Sequence, residues 1–190
     1  FPAALEDSLA AYRWLLARGF PPRSIVIGGE SAGGNLTLAL LLALRDADEP
    51  LPAAAVCLSP LTDAVSSGGS RLSRRQADPI FGNLAHPEKL IAPYWGGHNP
   101  EDPLISPMYA ALHGLPPLLF HVGEDEILLD DSVQIAERAR AAGVDARVVV
   151  WPGMWHVFQA YYMFVAEAQE SVRQIGEFIQ GVLTGEPTTG

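Results

Sequence analysis

Apolar residues recur along this chain in two alternating rhythms. Leu5, Leu9, Tyr12 and Leu16 fall at helical spacing, which predicts a first helix over about Ala3–Ala17, ended by Gly19 and Pro21. Ser24–Ile27 follows as a strand. The stretch from Leu36 to Leu44 is apolar on nearly every face, as expected of a helix buried behind a sheet, and Pro50 and Pro52 close it. Ala53–Leu58, Leu118–Val122 and Ala146–Trp151 are short continuous apolar runs bounded by turn residues, the pattern of strands covered on both faces. Two more helices are expected. One runs over Asp131–Ala142 and stops at Gly143; the other is long, with Val165, Ala168, Val172, Ile175, Ile179 and Val182 on one face. Helices alternating with strands predict an α/β fold with a parallel sheet of four strands. If right-handed crossovers join these strands in one direction, their helices share one face and the last helix covers the other largely alone. The first strand then becomes an open edge, a site for a second polypeptide or a second copy. The tail Gly185–Gly190 is expected to be mobile.

The segment from Asp63 to Leu115 interrupts the alternation, and long connections in compact domains tend to be lids or binding loops. Val65–Asp78 is polar and rich in Gly and Ser. Leu90, Ile91, Tyr94 and Trp95 then offer a short amphipathic helix, which either forms part of a cap over a site or packs on the flank of the sheet.

Composition narrows the function. With 190 residues, 48% of them hydrophobic and 18% charged, the chain has the profile of one globular domain with a substantial core. A net charge of −10 with only 12 Lys plus Arg speaks against nucleic acid or an anionic membrane surface as partner. Arg71, Arg74 and Arg75 form the one local basic cluster and read as solvated loop surface. No apolar run reaches the roughly 18–20 residues of a membrane span, and the N-terminus lacks the basic stretch of a signal peptide. The single cysteine, Cys57, excludes an intrachain disulfide and reads as a small buried hydrophobe, which suits a cytoplasmic location. There is no H-E-x-x-H pair or cysteine cluster, so metallohydrolysis is disfavoured.

The candidate chemistry begins at Gly29-Glu30-Ser31-Ala32-Gly33, between a predicted strand and a predicted helix. That context makes the G-x-S-x-G pattern a nucleophile elbow rather than an ordinary Gly-rich turn. A serine hydroxyl needs a histidine to take its proton and an acid to orient that histidine. In chain order, Glu124-Asp125-Glu126 follows the third predicted strand and His156 the fourth, so three loops meet at one edge of the sheet. His86, His98 and His113 lie in the irregular insert, where solvated or bracing roles are expected, and His121 lies inside a strand. A dinucleotide-binding oxidoreductase is excluded, because Gly28-Gly29-Glu30-Ser31-Ala32-Gly33 lacks the G-x-G-x-x-G spacing.

Taken together, Gly29-Glu30-Ser31-Ala32-Gly33-Gly34-Asn35, Leu58-Ser59-Pro60, Asp125 to Asp131 and Gly153-Met154-Trp155-His156-Val157-Phe158 resemble the bacterial hormone-sensitive-lipase family of α/β-hydrolase esterases. The resemblance covers essentially the whole chain, including Gly114-Leu115-Pro116-Pro117. It implies hydrolysis of small carboxylic esters with short to medium acyl chains, without cofactor or metal. It also implies Ser31 as nucleophile, His156 as base and Ala32 as an oxyanion-hole donor. An ungapped match puts Glu126 where the family's catalytic aspartate stands, and a one-residue gap would select Asp125 instead. The family's upstream His-Gly-Gly loop occurs nowhere in the sequence, so the chain looks like the C-terminal part of a larger enzyme, with little activity expected of it alone. The resemblance thus describes an incomplete α/β-hydrolase unit over residues 1–184 with a partial cap insert over about 64–113. The alternative is a non-catalytic, ligand-binding protein on the same fold.

Overall fold

The computed structural model describes residues 1–65, 69–83 and 88–185. Helix α1 (Ala3–Ala17) forms over the expected residues and is followed by a single 3₁₀ turn, Pro22–Ser24. That turn moves the first strand, so β1 runs over Val26–Glu30 rather than Ser24–Ile27. The strand passes straight through Gly28-Gly29 to the residue before Ser31. Helix α2 (Ala32–Asp46), β2 (Ala54–Leu58), the short α3 (Ser70–Ser73) and α4 (Glu88–Trp95) come next. The chain continues with β3 (Leu118–Gly123), α5 (Leu129–Ala141), β4 (Ala146–Trp151) and α6 (Ala166–Thr184).

The strands form one parallel sheet in the order β1-β2-β3-β4, with Gly29 opposite Cys57, Cys57 opposite Phe120 and Phe120 opposite Val148. The period of two in the strands divides the core between two faces. Ala55, Cys57, Leu118, Phe120 and Ala146 pack against Leu38, Leu41 and Leu42 of α2 and Ile135, Ala136 and Ala139 of α5. On the other face Ala54, Val56 and Leu119 meet Phe178, Ile175, Ile179 and Val182 of α6. Burying each such Leu, Ile, Val or Phe side chain contributes about 1.5–3 kcal/mol. Helix α1 packs Leu5 and Tyr12 on Ala39, Leu40 and Leu44 of α2. The connecting helices share one face and α6 covers the other, as the crossover rule requires.

The inward stripe of α6 differs from the sequence pattern at one position. Val172 stays 40% exposed, and Ser171 beside it is fully buried. The reason is polar: Ser171 Oγ meets His121 Nδ1 at 2.8 Å and accepts from Gln159 Nε2 at 3.0 Å. Trp151 Nε1 also donates to His121 Nδ1, at 3.2 Å. His121 therefore braces β3, β4 and α6, and burial pushes its imidazole down to about 4. Cys57 is buried, and burial pushes its thiol up to about 12. Strand β1 lies at one edge of the sheet, paired among the described residues with β2 alone, with Gly28 and Glu30 exposed. No helix among the described residues is long and apolar enough to cross a membrane. His86 and residues 186–190 of the tail lie outside the described residues.

Candidate active site

Strand β1 ends at Glu30 and α2 begins at Ala32, so the whole reversal of direction falls on Ser31. Its backbone adopts φ 53° and ψ −116°, a region that costs a non-glycine residue about 1–3 kcal/mol. Two glycines make the turn possible. A Cβ on Gly29 would lie 2.2 Å from the carbonyl oxygen of Gly33, and one on Gly34 would lie 2.8 Å from Cβ of Pro60. The strain is held by backbone bonds: Ser31 N donates to Leu58 O at 2.8 Å, and Ser31 O accepts from Leu61 N at 3.2 Å. The buried Asn35 adds a brace, its Nδ2 donating to Leu61 O and Ile105 O, each at 2.8 Å. Ala32 N–H belongs to the first turn of α2, where amides lack a partner inside the helix.

At the far ends of β3 and β4 a second group assembles. Glu126 is fully buried, and its Oε2 lies 2.7 Å from Nδ1 of His156, itself 7% exposed. Its Oε1 accepts from Ser59 Oγ and Gly123 N, both at 2.7 Å. Ser59 Oγ in turn accepts from Val157 N at 3.2 Å, joining the acid to the loop that carries the histidine. A Cβ on Gly123 would sit 2.3 Å from Met154 O, so the two strand ends can approach this closely only with glycine there. A proton on Nδ1 donated to the carboxylate leaves Nε2 of His156 free to accept one. Asp125 takes no part in this: its side chain is 35% exposed, 3.9 Å from Nη1 of Arg74.

Ser31 and His156 face a common side chain, Phe81. A cavity of ≈ 220 Å³ is lined by Ser31, Ala32, Leu61, Phe81 and Ile91, and the ring of His156 packs edge-on against Phe81 at 4.8 Å. No hydrogen bond joins Ser31 to His156 in this structure; catalytic contacts in unliganded sites are often long and tighten around the substrate. A second cavity of ≈ 350 Å³ adjoins the first across Ala32, Leu61 and Ile91, with Leu36 and Trp95 in its wall. Helix α4 therefore stands over the site rather than on the sheet's flank.

The insert contributes more than the polar pattern of its sequence suggests. Asp78 is buried; its Oδ2 accepts from Ile127 N at 2.9 Å beside the acid, and its Oδ1 from Phe81 N at 2.9 Å. Arg71, expected at the solvated surface, has a side chain only 8% exposed, with Nη2 2.9 Å from Asp131 Oδ2. The burial has an electrostatic counterpart. Burial raises the Asp131 carboxyl above its usual range, opposed by Arg71 and by the amides of Thr62 and Asp63, which donate to Oδ2 at 2.8 and 3.0 Å. Arg74 fits the surface reading, 37% exposed near Glu124 and Asp125. Asp130 Oδ2 accepts from Ser70 N at 2.8 Å at the start of α3. Ser59 and Asp78 were not singled out as site residues by sequence. Ser59 carried a usable signal, since it follows β2 at the same edge as Ser31 and Glu126.

The profile of the alpha/beta hydrolase fold family matches residues 1–160. An acetyl-hydrolase of Streptomyces hygroscopicus is 42% identical over 186 residues, covering 98% of this chain and 62% of its own length. The crystal structure of an esterase from the bacterial hormone-sensitive lipase family superposes with a TM-score of 0.91 at 48% identity, over 96% of this chain and 61% of the other. The esterase EstE5 soaked with p-nitrophenyl butyrate gives a TM-score of 0.92 at 43% identity, over 97% and 62%. The chain thus spans about three fifths of the length of the relatives it matches.

Proposed function

Because the chain belongs to the bacterial hormone-sensitive-lipase family of α/β-hydrolase esterases, we propose that it carries the triad of a serine carboxylesterase acting on small esters with short to medium acyl chains. The catalytic unit spans residues 1–184, with residues 64–113 as its cap insert, and works without cofactor or metal. In this reading Ser31 Oγ attacks the ester carbonyl while Nε2 of His156 takes its proton. Glu126 holds the imidazole in the required tautomer and stabilises the imidazolium that forms. The tetrahedral oxyanion draws on the N–H of Ala32. Collapse expels the alcohol, protonated by His156, and leaves an acyl group on Ser31. Water, deprotonated by the same histidine, then releases the acid.

The observation that supports this reading most is the 2.7 Å bond between His156 and the buried Glu126, set at the same sheet edge as a strained serine. A purely ligand-binding protein has no need of such a pair. Acyl transfer calls for further oxyanion donors, and no His-Gly-Gly loop occurs in these 190 residues. We assign those donors to a segment or second chain packed beside the open edge of β1. Each missing donor costs about 100-fold to 1,000-fold in rate, so turnover by these residues alone is expected to be slow. A cytoplasmic location belongs to the same reading and rests on the lone buried Cys57. Hydrolysis of p-nitrophenyl butyrate tests the proposal: slow release of p-nitrophenol, lost in Ser31→Ala, supports it. Equal rates for the two proteins contradict it.

A further inference from the structure

Among the described residues, Arg71 is the one charged side chain lining the cavity that contains Ser31, and it also lines a polar cavity of ≈ 140 Å³ with Asp63, Asp130 and Asp131. Its side chain is 8% exposed, and its hydrogen bonds all run through Nη2, to Asp131 Oδ1 and Oδ2 and to Asp63 O. Nε is buried without a partner. A guanidinium carries five N–H donors, so those on Nε and Nη1 meet no protein acceptor among the described residues. An unsatisfied donor on a buried charged group is costly, and such a group calls for an explanation. Apart from Ser31, the other described side chains of that wall, Ala32, Leu61, Phe81, Ile91, Ile127 and Leu128, are apolar.

Charge decides what kind of acceptor belongs there. Asp131 already neutralises Arg71, and the chain as a whole carries −10. A carboxylate approaching Arg71 would meet a cation already paired with the Asp131 carboxylate. A neutral oxygen meets no such repulsion.

We propose that Arg71 is a specificity-determining residue that binds a neutral acceptor oxygen, a ketone, ether or hydroxyl, on the acyl or alcohol part of the ester whose carbonyl Ser31 attacks. The inference rests on the esterase reading for the role of Ser31, and its test reads binding alone. Anilides resist hydrolysis, so the probes are acetoacetanilide against butyranilide and levulinanilide against valeranilide, titrated calorimetrically into the unmodified chain. At least one keto anilide should bind about tenfold more tightly than its oxygen-free partner, the scale of one hydrogen bond to a charged group. Succinanilic acid, with a carboxylate, should gain nothing over valeranilide.

In the double variant Arg71→Met with Asp131→Leu, which leaves neither charge unpaired, the keto preference should vanish while valeranilide binding stays within about twofold. Ser31→Ala should keep the preference whether or not it abolishes ester turnover, which separates failure of this inference from failure of the esterase reading. Equal affinities within both pairs in the unmodified chain would mean that water alone serves Arg71, and would overturn the proposal. So would a keto preference that survives in the double variant, or tighter binding of succinanilic acid than of either ketone.

Discussion

The loop after β1 and the loop after β3 each deliver one group to the same edge of the sheet, by opposite means. Ser31 is placed by the main chain: a positive φ, two close approaches that only glycine allows, and amide bonds to Leu58 and Leu61. Glu126 is placed by polar contacts from distant parts of the chain, with Ser59 from the end of β2, Gly123 from β3 and His156 from beyond β4. In the proposed reading the nucleophile needs a fixed position but an unencumbered hydroxyl, which backbone strain supplies. The acid needs its charge held and oriented inside the protein, which takes donors. Steric change should therefore break the first loop, and loss of single polar atoms the second.

The largest expected effect lies on the acid side. Glu126→Gln should lower p-nitrophenyl butyrate turnover by about 10⁴-fold, as loss of the tautomer-fixing acid does in other serine triads, while Asp125→Asn stays within about twofold. Comparable losses in the two variants would mean that the acid is not fixed by the contacts seen here. On the elbow side, Gly29→Ala should destabilise the fold by about 3 kcal/mol, because a Cβ would meet main-chain atoms that have no room to move. Urea denaturation of the variant reads this directly. An unchanged midpoint would show that the elbow is not held by steric closeness.

A pH titration sharpens the contrast. His121 has a folded-state value of about 4, below the ordinary 6.5, so the unfolded chain takes up the proton first. Its contribution to stability is present in full above 6.5 and lost as pH falls from there to about 4, by on the order of 3 kcal/mol in total. In His121→Asn the urea midpoint should depend less on pH across that window. The smallest effect is expected from Ser59→Ala, which removes one donor from Glu126 and one acceptor from Val157. Turnover should fall about tenfold with Asp125 still uninvolved, the scale of one hydrogen bond to a charged group.

The same contrast explains what was legible in the sequence. The elbow could be read because glycine spacing, a preceding apolar run and a following helix are all local signals. The four strands and the division of helices between the faces followed from apolar runs and crossover handedness. The sequence leaves Asp125 and Glu126 open because the groups that hold Glu126 in the structure, Ser59 and His156, lie 67 and 30 residues away. Arg71 was misread for the same reason. Its partner Asp131 is 60 residues distant, and a polar segment gives no sign that its arginine will be paired and buried. Val172 was placed on the buried face of α6 by its apolar character, although Ser171 turns inward to serve His121.

Fluorophosphonate labelling of the folded chain, read by mass spectrometry of its peptides, tests the central claim most directly. The account predicts a single adduct on Ser31, absent in Ser31→Ala and formed far more slowly in His156→Gln and Glu126→Gln. No adduct on the folded chain, or one that forms equally fast without His156, would contradict it.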